Sequence, residues 1–163
     1  MTHAHDQGSY QVRFDWGAAG ATAIAPGAHV VIWVDQLASA SGDSEMMPVL
    51  GGTPGGVELV PATMQDASEV AAFCLRRQAE IGNRLMIAVV AAGASRADGT
   101  LRFAVEDLLA AGAIIDALAG AGIDHQSPEA AAAASAYSGL KNATRHLISA
   151  SASSREQRES STT

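Results

Sequence analysis

One stretch constrains this chain more than any other: Leu85–Leu118, LMIAVVAAGASRADGTLRFAVEDLLAAGAIIDAL. It opens on LMIAVV, a short continuous apolar run of the kind that forms a strand buried on both faces. Ala91-Ala92-Gly93 leaves the strand with small residues, which let backbone or ligand come close. Ala94–Gly99 reads as a polar loop. A helix is expected from Arg102 or Phe103 to about Ala119, where Gly120 and Gly122 stop it. A buried strand leading through a turn into a helix is α/β architecture. Glu106 and Asp107 fall in the first turns of that helix, near the strand's carboxyl end.

A second run, His29–Val34 (HVVIWV), is rich in β-branched residues and reads as another central strand. It ends at Asp35. A carboxylate there is either a loop or cap residue, or it sits where open α/β sheets place their ligands. Gln11–Trp16 alternates Val12, Phe14 and Trp16 against Gln11, Arg13 and Asp15, the period of a strand with one buried face. Ala18–Ala25 forms a short helix before the Pro26-Gly27 turn. Val57–Val60 is a brief strand. Asp66–Ile81 is an amphipathic helix with Val70, Phe73, Cys74 and Ile81 on one face, Asp66 as N-cap and Glu69 three residues on. Gly82-Asn83 ends it. Ser127-Pro128-Glu129 starts another helix, to about Tyr137, and a further one covers Lys141–Ile148.

Leu37–Gly56 is rich in Gly, Ser and Pro and has no period. It lacks any phosphate-loop spacing and reads as a linker. The expected fold is a single α/β domain over residues 10–150, a mixed or mainly parallel sheet flanked by helices. Residues 1–9 and 151–163 are expected to be disordered tails.

The chain of 163 residues suffices for one domain with a real core, built from Val, Ile, Leu and Ala because aromatics are only 4%. Ten Lys+Arg against seventeen Asp+Glu leave a net charge of -7. Such a surface repels phosphate backbones, which argues against a nucleic-acid partner. An anionic ligand would need a local Arg or a metal. The N-terminus lacks the basic and apolar regions of a signal peptide, and no apolar run approaches the ~20 residues that span a bilayer. A cytoplasmic protein without a membrane partner is expected, and a homo-oligomer is compatible with this reading. The single cysteine, Cys74, reads as a buried inert thiol. His29, His125 and His146 have no nucleophile-elbow context.

Glu106 and Asp107 project roughly 100° apart on a helix. Asp107 shares its stripe with Phe103, Ala110, Ile114 and Leu118, so it needs a partner or an open end of the core. Acids in a first turn also simply suit the helix dipole. If both strands present their ends to one rim, Asp35, Glu106 and Asp107 converge there. An all-oxygen set of that kind suits Mg²⁺. Arg96, Arg102 and Arg155 are candidate oxyanion partners.

The segment AAGASRADGTLRFAVEDLLAAGAIIDALAG, followed by SPEAAAAASAY, resembles the 2-phosphosulfolactate phosphatase family. The opening QVRFDWGAAG and the strand end HVVIWVDQLASA are similar to that family's corresponding segments. The resemblance implies a Mg²⁺-dependent phosphatase that hydrolyses a small phosphorylated, sulfonated acid, 2-phospho-3-sulfolactate, in coenzyme M synthesis. It implies Asp35, Glu106 and Asp107 as metal and acid–base residues. Arg102 and Arg155 would be the phosphate or sulfonate partners. Gly93-Ala94-Ser95 stands where the family carries Gly-Glu-Arg. Asp66 stands where it carries Asn, and Ser39–Gly56 is too short for its middle portion. Ser153-Ser154-Arg155-Glu156 resembles its Ser-Gly-Arg-Glu motif. These departures keep an alternative open: a catalytically inactive α/β remnant that serves as an anion-binding or protein-interaction module.

Overall fold

The computed structural model describes residues 4–37 and 56–162. Apart from its end residues, the segment read as a linker, Leu37–Gly56, lies outside them. Four strands form one sheet in the order β1-β4-β2-β3: β1 Val12–Trp16, β2 Val30–Val34, β3 Glu58–Ala62 and β4 Ile87–Ala91. Every pairing is parallel, with Val30 opposite both Ile87 and Glu58 and Val12 also opposite Ile87. All ten residues of β2 and β4 are buried. That is why both strands read as unbroken apolar runs, since a central parallel strand is covered on both sides.

One face of the sheet carries α1, Gly17–Ile24, packed over Val31, Trp33, Ala88 and Val90. The other face carries α2, Ala67–Ile81, and α3, Val105–Gly120, over Val12, Phe14, Val30, Ile32, Val34, Ile87 and Val89. Helix α4, Pro128–Leu140, packs on α3 and contributes Ala130 and Ala133 to that core. Two shorter helices follow, α5 Thr144–Ala150 and α6 Ala152–Ser160. The mainly parallel α/β domain is therefore the observed architecture. No helix among the described residues is long and apolar enough to cross a membrane.

Helix α3 is buried nearly all round, from Leu109 through Ile115 and at Leu118. A helix without a polar face belongs inside a protein. Its small residues let α4 approach very closely. A Cβ added at Gly112 would collide with the carbonyl oxygen of Ala133 and lie 2.8 Å from Tyr137 Cβ. Pro128 at the first position of α4 and the Ser127 hydroxyl, which accepts the Ala130 N–H at 3.1 Å, start that helix as its sequence predicts.

The sequence periodicity of β1 suggests a polar solvent face, and the structure differs. Arg13 is only 3% exposed and donates to the carbonyls of Ile24 at 2.9 Å and Pro26 at 2.8 Å, just where α1 ends. A guanidinium pays for its burial by satisfying the orphan carbonyls of a helix terminus. Asp66 is the N-cap position of the helix from Ala67, as expected, but its carboxylate turns back to cap the 3-10 turn ahead of it. The Thr63 N–H donates to the Asp66 carboxylate at 2.7 Å, closing a capping box over a short 3-10 turn, Met64–Asp66. The Thr63 hydroxyl bond holds the Asp66 carboxyl below its ordinary range.

Both ends expected as tails carry structure among the described residues. Ala4–Asp6 form a 3-10 turn and Gln7 is buried. The Gln7 side-chain amide accepts from Phe14 N–H at 2.9 Å and donates to Phe14 C=O at 2.8 Å, standing in for a neighbouring strand on the edge of β1. At the other end, Ala152–Ser160 is helical, with the Ser151 hydroxyl accepting the Ser154 N–H at 3.2 Å. Arg, Glu and Gln behind a Ser cap are good helix formers even without apolar residues.

Cys74 is fully buried in α2, and burial pushes its thiol up to about 12. A disulfide-exchange reagent at pH 8 is expected to leave the native protein untouched and to titrate one thiol after denaturation. Native-state reaction would mean that α2 opens readily.

Candidate functional site

The carboxyl ends of β2 and β4 open onto a cleft of about 590 Å³, and open α/β sheets hold ligands outside such strand ends. Asp35 and Leu37 come from the end of β2, Gly93–Ser95 from the end of β4, and Glu106 and Asp107 from the first turn of α3. The polar loop expected at Ala94–Gly99 is instead a small antiparallel hairpin, β5 Ala94–Ser95 with β6 Leu101–Arg102. Its turn is closed by the Asp98 carboxylate, which accepts from the Thr100 N–H at 3.0 Å and the Thr100 hydroxyl at 2.7 Å. The hairpin delays the start of α3 to Val105, so Arg102 lies in a strand and its side chain reaches the cleft. Phe103 lies outside the helix stripe to which its spacing assigns it and packs on Trp16, ring centroids 5.3 Å apart.

Asp107 organises this rim. It is 2% exposed, and its two oxygens accept the Gln36 N–H at 2.8 Å and the Gly93 N–H at 2.9 Å. One side chain thus ties the backbone just after β2 to the backbone just after β4. Gly93 makes this possible through φ 72 and through its lack of a side chain, since a Cβ there would lie 2.7 Å from Leu101 Cδ1. Burial pushes the Asp107 carboxyl up to about 7. The two N–H bonds oppose that rise, and the charges of Asp35 and Glu106 add to it. Glu106 is 3% exposed, lines the cleft, and has no hydrogen bond from another described residue.

The sequence candidates are thus divided. Asp35, Glu106, Asp107 and Arg102 line one cleft. Arg155 does not line it, and lies exposed on α6. Arg96 turns to the Leu101 carbonyl within the hairpin. Sequence reasoning missed the wall that α6 provides, with Ser153, Glu156, Gln157 and Ser160, continued by Ser161 just past its end. Glu156 pairs with Arg102, Nη1–Oε1 3.3 Å and Nη2–Oε2 3.2 Å, and the Gln157 amide donates to the Leu37 carbonyl at 2.8 Å. The available signal was the Ser151 cap ahead of a run of helix formers.

Among the described residues, no three His, Cys, Asp or Glu side chains form a group that could by itself hold a metal ion. Comparison with family models, curated proteins and solved structures finds no match to this chain.

Proposed function

We propose that the cleft is a phosphate-monoester hydrolase site of the 2-phosphosulfolactate phosphatase type, acting with Mg²⁺ on a small phosphorylated, sulfonated acid. The observation that carries this reading is the gathering of Asp35, Glu106 and Asp107, from two separate elements, in one cleft with Arg102. Glu106 lies buried at the cleft wall without a hydrogen bond from another described residue, so its carboxyl oxygens can turn to a ligand there. The donor set is all oxygen and is not a closed protein cage. That fits Mg²⁺, which takes one or two carboxylates and completes its shell with water and phosphate oxygens. Asp35 and Glu106 would hold it. Bound there, Mg²⁺ would polarise a phosphoryl oxygen and offset the repulsion between an acidic site and an anionic ester.

The chain's own residues supply the remaining steps. Arg102 binds and orients the phosphate or sulfonate oxygens. Hydrolysis joins a water oxygen to phosphorus and breaks the bond from phosphorus to the ester oxygen. The departing alkoxide takes up a proton. Asp107, a buried carboxyl lining the cleft, can carry that proton as a positioned general acid. Its two backbone bonds fix the carboxyl group in place.

A second reading is favoured by a specific observation. Arg102 is already paired with Glu156 and Asp107 with two amides, as in a remnant that binds an anion or partner without turnover. Phosphate release from an aryl phosphate, with and without Mg²⁺, separates the two. Wild type is expected to show Mg²⁺-dependent release, and Asp35→Ala to lose it by about 100-fold or more. Absence of metal-dependent release in wild type rejects the enzyme reading. Unchanged release in Asp35→Ala rejects the site. A thermal shift with Mg²⁺ plus phosphate and no turnover identifies the binding remnant.

A further inference from the structure

We propose that α6 is a displaceable lid on the cleft, and that Glu156 holds on Arg102 the place an anionic group of the ligand would take. The inference rests on the cleft being a ligand site for an anion.

Three observations lead to it. First, α6 forms a wall of the cleft without being anchored by an apolar face: no residue of the helix itself is buried. Ser151, the buried cap before it, is extended at φ -63 and ψ 157 between two helices, a natural pivot. The described side-chain links from α6 to the rim are polar: the Glu156–Arg102 pair and the Gln157 bond to Leu37. Second, the two Glu156 oxygens meet two nitrogens of one guanidinium. That is the fork by which Arg takes a phosphate or a carboxylate. Third, Arg102 Nε is buried and has no acceptor among the described residues. A buried donor left unmet is costly, and an oxyanion on that edge would relieve it.

The second and third observations together imply competition. An oxyanion taking the Nε–Nη2 edge must share Nη2 with Glu156 and face its charge. Both cannot stay. Glu156 is the side that yields, because its side chain is 65% exposed and an ion pair so placed is screened and weak. The lid then swings off as the ligand's anion arrives.

The test follows backbone hydrogen exchange across Ala152–Ser160 and the affinity for inorganic phosphate with Mg²⁺, in wild type, Glu156→Gln and Arg102→Gln. Circular dichroism checks that each variant folds. Glu156→Gln is expected to speed exchange in α6 and to tighten phosphate by about two- to five-fold, the range set by one exposed ion pair. Arg102→Gln is expected to speed the same amides and to lose phosphate binding. Phosphate added to wild type should itself speed exchange in α6. If Glu156→Gln binds phosphate as wild type does, or phosphate slows exchange in α6, the lid is overturned and the anion site stands. If neither wild type nor Glu156→Gln binds phosphate, the anion site falls, and the lid with it.

Discussion

Without divalent cations, the stability of the wild-type protein relative to Asp107→Asn will fall as pH rises from about 4 to about 7. The folded-state carboxyl is raised to about 7, above its ordinary range, because burial outweighs two amide bonds and two neighbouring acids oppose its charge. A raised carboxyl keeps its proton in the folded chain after the unfolded chain has lost it. Its contribution is complete below the unfolded pKa of about 3.9 and drains away up to the folded one. The full span corresponds to roughly 4 kcal/mol, an upper figure because the rim can admit water. Urea unfolding at intervals between pH 4 and 8 measures it as the difference between wild type and variant. The amide of Asn turns one acceptor into a donor against a backbone N–H, a penalty that does not vary with pH. A difference that stays flat across this range would mean that Asp107 is ionised throughout.

Gly112→Ala will be the most damaging small substitution in the helical layer. Alanine in a helix ordinarily gains up to about 1 kcal/mol over glycine. Here the new methyl group would meet the Ala133 carbonyl and Tyr137 Cβ. Backbone cannot step aside as a flexible side chain can, so α4 must move off α3. The expected loss is roughly 3 kcal/mol, the upper part of the range for overpacking. It should appear as a Tm lower by about 6–12 °C for a domain of this size. Gly139→Ala is the control. Nothing lies within 4 Å of a Cβ there, and the same substitution should be neutral or mildly stabilising. Equal effects at the two positions would show that α3 and α4 can part cheaply.

These two cases mark what was legible. The runs at Val30–Val34 and Ile87–Ala91 disclosed the central strands because burial on both faces leaves no room for polar residues. Ser127-Pro128 disclosed α4 because capping is a local event. Asp35, Glu106 and Asp107 could be nominated because a strand end and a helix start were both recognisable. The acceptors' partners could not. Gln36 and Gly93 meet Asp107 through backbone N–H groups, which carry no sequence signature. Arg13 reads as a surface residue by alternation, and only the position of the end of α1 gives it a buried role. The α6 wall was hidden for the opposite reason. Polarity suggests disorder when a helix binds by charge and hydrogen bonds alone.

The Gln7 amide on Phe14 has a consequence for self-association. An open strand edge is a template for another chain. Here the template is occupied by a side chain of the same molecule, at an effective concentration no second molecule matches. The backbone at 125–127 covers the same edge at Val12, so sheet growth across β1 waits on both that segment and the turn before β1 peeling away. Aggregation by that route would be paced by a local opening of the monomer, and only secondarily by how crowded the solution is.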